Sequence, residues 1–124
     1  ISDNEIQWFS GKEDYTEGIH MLQQTYQIPL ILLSMGKDGS RAYYKDMLVE
    51  VPAFLQKNTI ETTGAGDTFG ACCLHHILKY GLDNLTKQQL KEMLTFANAA
   101  ASIITTRKGA LRVMPSLEEI QRLL

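Results

Sequence analysis

The chain has 124 residues, 44% of them apolar and 21% charged, a balance that suits one small globular domain and leaves no room for a second. Its formal charge of −2 provides no basic field for nucleic acid or an anionic membrane, and apolar runs such as residues 30–33 are far too short to span a bilayer. A soluble, cytoplasmic protein without a nucleic-acid or membrane partner is expected. The two cysteines, Cys72 and Cys73, are adjacent in a helical pattern and read as small buried hydrophobes. His20, His75 and His76 show no metal-ligand spacing, so a metal site built by this chain alone is not expected. The first residue is Ile1, not methionine, which suggests a piece of a longer protein.

In chain order, residues 2–5 read SDNE, a capping box that opens a short helix to about residue 10, with Gly11 as its stop. Tyr15, Ile19, Leu22 and Tyr26 recur at four, three and four, one face of a helix over residues 14–26 that Pro29 terminates. Residues 29–36, PLILLSMG, form a continuous apolar run, which suits a strand covered on both faces and hence a parallel sheet between helix layers. GKDG at residues 36–39 reads as a hairpin turn, followed by strands over residues 40–45 and 47–52 and a loop at 53–58. Beyond a glycine-rich loop, Phe69, Cys73, His76 or Ile77, and Tyr80 mark a helix that stops at Gly81. A second capping box at residues 86–89 opens a long helix through Leu90, Met93 or Leu94, Ala97, Ala101 and Ile104, and its alanine-rich half permits a close approach. The cations and Gly109 in TTRKGA suit a helix C-terminus, and a third box at residues 116–119 opens a last helix to about residue 124.

The loop at residues 61–71, ETTGAGDTFGA, carries the chemistry. Gly64, Ala65 and Gly66 place almost no bulk above their peptide groups, and a helix beginning near Asp67 would aim free N–H groups at an anion. A carboxylate repels a phosphate, so binding alone does not account for Asp67. A general base taking a proton from an attacking hydroxyl does account for it. The plainer alternative is a glycine-rich turn with Asp67 as a first-turn acid.

The same run resembles the C-terminal signature of the ribokinase-like (PfkB) carbohydrate kinases, DTxGAGD, which Gly64, Ala65, Gly66 and Asp67 match residue for residue, while Glu61 stands where that family has Asp. The resemblance implies an α/β fold: the C-terminal portion of a three-layer αβα sandwich with a mainly parallel sheet and a β-meander edge. Residues 1–124 would be the nucleotide-binding and catalytic portion of one domain, with the substrate and lid portion absent. It further implies an anion hole at residues 64–66, Asp67 as catalytic base, and a nucleotide edge at Ser34, Gly36, Lys37 and Gly39, which is compatible with the turn reading. Asn98 would face the adenine, or else sit on a solvated helix face. Glu5 would correspond to the glutamate of an NxxE motif that orders magnesium, although Ser2 replaces the asparagine and the capping box explains Glu5 equally. A monovalent-cation site would involve Glu61, Thr63, Ile104, Arg107 and Gly109, against the alternative of a dipole-compensating helix end.

Taken together, these residues imply an ATP- and Mg²⁺-dependent kinase, with K⁺ as a further cofactor, acting on a primary hydroxyl of a small sugar. ISDNE, WFSG and the loop most resemble bacterial fructokinases within the family, with ribokinases and ketodeoxygluconate kinases behind. A non-catalytic nucleotide- or sugar-binding regulator is the alternative from another class, and an acid beside its anion site would give it nothing. The complete protein is expected to be a homodimer, and the piece alone an inactive, self-associating chain.

Overall fold

A computed structural model describes residues 1–124, and its helices flank a three-stranded sheet on both faces. Helices α1 (Asp3–Ser10) and α2 (Tyr15–Tyr26) lead into β1 (Leu30–Ser34), β2 (Ser40–Tyr44) and β3 (Met47–Val51), then α3 (Ala65–Tyr80), α4 (Lys87–Ile104) and α5 (Leu117–Leu123). All three expected capping boxes form, at Ser2 with Glu5, Thr86 with Gln89 and Ser116 with Glu119. Helix α2 ends at Tyr26, and its C-cap Gln27, in the left-handed region, stands two residues before Pro29. No helix is long and apolar enough to cross a membrane.

Strand β1 carries apolar side chains on both faces because both faces are covered. Ile31 and Leu33 join Ile6, Ile19, Leu22 and Tyr43 under α1 and α2, while Leu30 and Leu32 turn to the opposite core. That second core sets Ala42, Tyr44, Val49 and Val51 against Phe69 and Cys73 of α3 and Leu90, Met93, Leu94 and Ala97 of α4. Tyr44 locks the layers together, its hydroxyl donating to Leu82 O at 2.6 Å.

The parallel sheet expected from the apolar run is not what these strands display. Both ladders, β1 with β2 and β2 with β3, are antiparallel, and the parallel contact is one bridge, Ser2 with Ser34. A continuous apolar run reports burial on two faces, and a meander strand between two helix layers meets that condition as well as a parallel strand does. The GKDG segment does join β1 to β2 as a hairpin, as its turn residues predict. It makes a single 3₁₀ turn, Gly36–Asp38, before Gly39 enters β2 at φ +96°. A Cβ on Gly39 would lie 2.2 Å from Val51 O, so the backbone of β3 passes where any side chain would project.

Candidate active site

Helix α3 begins two residues earlier than expected. Gly64, at φ +81°, is its N-cap, and Asp67 is the third helical residue instead of the first. Ala65 N–H donates to Thr62 O at 3.1 Å and Thr68 N–H to Gly64 O at 2.9 Å, whereas the N–H groups of Gly66 and Asp67 have no protein partner. The unsatisfied donors at the positive end of the dipole are therefore those of Gly66 and Asp67. Above Gly66 the space is open, since a Cβ there would meet nothing within 4 Å.

Two cavities meet at this helix start. The first, of about 300 Å³, is lined by Ser34, Gly36, Lys37, Gly39 and Asn98, so the whole expected nucleotide edge borders one cleft together with Ala65 and Gly66. The second, of about 540 Å³, contains Asp67 and Glu5. Ser34, Gly66 and Phe69 line both, forming a shared wall. Sequence reasoning placed Ser34 and Gly66 at the site but passed over Phe69, which reads as core from its helical spacing and is 7% exposed.

The Asp67 carboxylate is exposed to the second cavity and makes no hydrogen bond or ion pair with the protein. Glu5 faces the same cavity while accepting from Ser2 N–H at 2.7 Å. That bond holds its carboxyl below the ordinary value of 4.5, with the Ser2 hydroxyl adding to the effect. Glu5 is thus both a cap and a second carboxylate in the cavity. No cluster of three or more His, Cys, Asp or Glu side chains could hold a metal. Two carboxylates facing one space fit a magnesium ion whose remaining ligands are phosphates and water, and do not fit a protein-only cage.

The segment that follows α4 crosses the glycine loop from the other side. Glu61 Oε1 accepts from Gly109 N–H at 2.9 Å, and Thr105 O accepts from Ile60 N–H at 2.8 Å and Glu61 N–H at 3.3 Å. Gly64 packs against Ala110 and Ile104, where an added Cβ would find contacts of 3.1–3.3 Å. Thr63 lies in the same turn, between Glu61 and Gly64. Of the expected cation set, Glu61 and Gly109 are bonded directly, and Ile104 O is taken by Arg107 N–H at 3.1 Å. The Arg107 guanidinium turns away, to Val113 O and to the carboxylate of Glu119 on α5. Toward a monovalent cation the loops thus offer the second oxygen of Glu61 and backbone carbonyls.

Asn98 is neither solvated nor fully open to the cleft. It is 7% exposed, and its Nδ2 donates to Val51 O at 3.3 Å and Pro52 O at 3.1 Å. Nearby, Gln56 Nε2 donates to Ser102 Oγ at 3.1 Å. Neither Gln56 nor Ser102 was foreseen, although Ser102 lies four residues from Asn98 on the same helix face.

Comparison with known proteins places this geometry in context. The model of the pfkB family carbohydrate kinases matches residues 1–117. The fructokinase of Klebsiella pneumoniae is 34% identical over 123 residues, and fructokinase-1 of Zea mays 31% identical over 124. These matches cover 98% and 100% of this chain, but the chain spans only 39% and 38% of those relatives' lengths. Among solved structures, the fructokinase of Vibrio cholerae O395 in its fructose, ADP and calcium ion bound form superposes with a TM-score of 0.86 at 26% identity, over 99% of this chain and 39% of that one. Ribokinase of Arabidopsis thaliana, complexed with ribose and ATP, superposes at 0.80 with 24% identity over 98% of this chain and 38% of its own, a likeness of fold.

Proposed function

The chain belongs to the pfkB family of carbohydrate kinases, and from that premise we propose that it is the nucleotide-binding and catalytic portion of an ATP-dependent sugar kinase. The observation that carries the reading is the shared wall: Gly66, with its unpartnered N–H, borders the cleft of Ser34, Gly36, Lys37, Gly39 and Asn98 on one side and the cavity of Asp67 on the other. In-line phosphoryl transfer needs donor and acceptor on opposite sides of the migrating group. ATP lies in the first cleft, the sugar hydroxyl enters the second, and the phosphoryl group passes at Gly66. Asp67 takes the hydroxyl proton, and the N–H groups of Gly66 and Asp67 stabilise the charge on the transferring oxygens. Magnesium, arriving with the nucleotide, would be held by Glu5 through water and would neutralise phosphate charge.

Fructose, giving fructose 6-phosphate, is the acceptor we favour, because the two curated relatives above carry that name. Ribose and 2-keto-3-deoxygluconate are the alternatives. Sugar-reading residues are proposed to lie in the part of the protein outside this chain. The location is proposed to be cytoplasmic and the complete protein a homodimer. The chain alone is proposed to self-associate without activity, since Leu74 and Leu78 on α3 are 62% and 87% exposed. Light scattering that finds the chain a stable monomer would contradict this.

The test is ATP-dependent phosphorylation of fructose, ribose and 2-keto-3-deoxygluconate by the complete protein. Equal rates on all three would remove the fructose preference, and no product with any would remove the kinase reading. Asp67→Asn should retain nucleotide binding and lose about 10²–10⁴ in turnover. Near-normal turnover in that variant would refute the base assignment.

A further inference from the structure

One face of α4 carries Asn98 and Ser102, and Thr105 follows as its C-cap, at spacings of four and three. Each fastens part of the segment that runs from β3 to the glycine loop. Asn98 holds Val51 O and Pro52 O, Ser102 Oγ accepts from Gln56 while donating to Ala99 O at 2.8 Å, and Thr105 O receives the N–H groups of Ile60 and Glu61. Apart from these bonds, the packing of Phe54 against Ala99, Ala100 and Ile120 holds the segment. It contains no helix or strand between residues 52 and 64, and Leu55 and Ile60 are 76% and 65% exposed. Yet Ala53, Phe54, Leu55, Gln56 and Thr59 supply an entire side of the first cleft.

The orientation of the Asn98 amide follows from its neighbours. Two carbonyl oxygens lie on one side of it, and the flipped amide would set Oδ1 against both. The Asn98 amide nitrogen is therefore engaged by two protein carbonyls, while Oδ1 has no protein partner.

We propose that Asn98 is a positioning residue of the nucleotide cleft and not a reader of the base: it fastens the exit of β3 so that residues 52–61 form the cleft wall. The inference rests on the reading of the first cleft as a nucleotide site. Asn98→Ala frees the Val51 and Pro52 carbonyls from α4, and Asn98→Asp sets a carboxylate oxygen against them while keeping an acceptor toward the cleft. A lost wall weakens every nucleotide alike. A lost base contact changes the preference among bases.

The experiment measures KM for ATP, GTP and sugar, together with kcat, in the complete protein and in both variants, and amide hydrogen exchange across residues 53–60. Expected are a nucleotide KM raised roughly tenfold in each variant, an unchanged ATP-to-GTP ratio, unchanged sugar KM and saturated kcat, and faster exchange confined to residues 53–60. A shifted ATP-to-GTP ratio with unchanged exchange would overturn the proposal. Exchange needs no catalysis, so if the complete protein phosphorylates no sugar, faster exchange in Asn98→Ala still upholds the wall while the kinase reading fails. Should both variants misfold, Ser102→Ala removes one attachment of the same wall. It should show the same signature at smaller size, and unchanged exchange there would overturn the inference.

Discussion

Gly64 and Gly66 stand two residues apart in one loop, and their alanine variants should behave in opposite ways. Gly64 sits at φ +81°, and a Cβ there would press on Ala110 Cβ at 3.1 Å and Ile104 Cδ1 at 3.3 Å. Left-handed backbone costs a side chain about 1–2 kcal/mol, and crowding adds to it, so Gly64→Ala should lower stability by roughly 1–3 kcal/mol. Gly66 already has helical geometry, and its Cβ would meet nothing within 4 Å. Alanine exceeds glycine by about 1 kcal/mol within a helix, and by less in a first turn, so Gly66→Ala should gain about 0.5 kcal/mol. For a protein of ordinary size that raises the melting temperature by about 1–2 °C. The same methyl, however, enters the wall shared by the two cavities, beside the free N–H groups of Gly66 and Asp67. Misplacing a phosphoryl group by about 1 Å costs about 10² in rate. Thermal melts and sugar phosphorylation on the complete protein read both effects. A Gly66→Ala protein that turns over normally, or that melts well below the parent, would refute the assignment of that open space to the transferring group.

Acid should release the ends of the chain before its centre. Glu119 is held below its ordinary value of 4.5, first by the hydrogen bond from Arg107 and then by Ser116 N–H, and Glu5 is lowered by Ser2. A depressed folded-state value means the contribution is complete above the unfolded value and is lost as pH falls through the folded one. Amide protection in α5 and α1 should therefore begin to fall once pH drops below the ordinary carboxylate value of 4.5, ahead of α4, and an acid titration in which α5 loses protection no earlier than α4 would contradict the capping argument. The thiols should be inert: burial pushes Cys72 up to about 11 and Cys73, beside it, up to about 12. Iodoacetamide at neutral pH should label them only after unfolding, and rapid labelling of the native protein would show that α3 opens. If a monovalent cation sits between Glu61 and the carbonyls near residues 104–109, turnover of the complete protein should fall when potassium is replaced by choline, and Glu61→Ala should abolish that difference. Equal rates in the two salts would leave Glu61 as a strut for Gly109 alone.

How much was legible in the sequence follows from the range over which each feature is decided. The capping boxes at Ser2, Thr86 and Ser116 each involve four adjacent residues, and all form as read. Ser34, Gly36, Lys37 and Gly39, expected at a nucleotide edge, border one cleft with Ala65 and Gly66, because a strand end, a turn and a helix start are local and their meeting place was implied by the family signature. Strand direction was legible from the turn at residues 36–39 and the expected meander edge, and not from the apolar run. The run at residues 30–33 reports coverage by two helix layers, and both layers are present over an antiparallel ladder. The long-range partners were not legible. Glu61 reaches Gly109 across 48 residues, Asn98 reaches Val51 across 47, and Arg107 turns to Glu119 instead of the loop it was expected to serve.

The same distinction bears on the loop itself. Its sequence presents three small residues as equivalent, yet each answers to a different constraint. Gly64 is required by its own φ and by Ala110 behind it, whereas Ala65 has an ordinary helical place with its N–H taken by Thr62 O. Gly66 alone has neither a backbone reason nor a packing reason to lack a side chain, and it stands where the two cavities join. Within a helix that would be more stable with alanine at that position, the missing side chain has a reason under the proposed phosphoryl path and none in the fold.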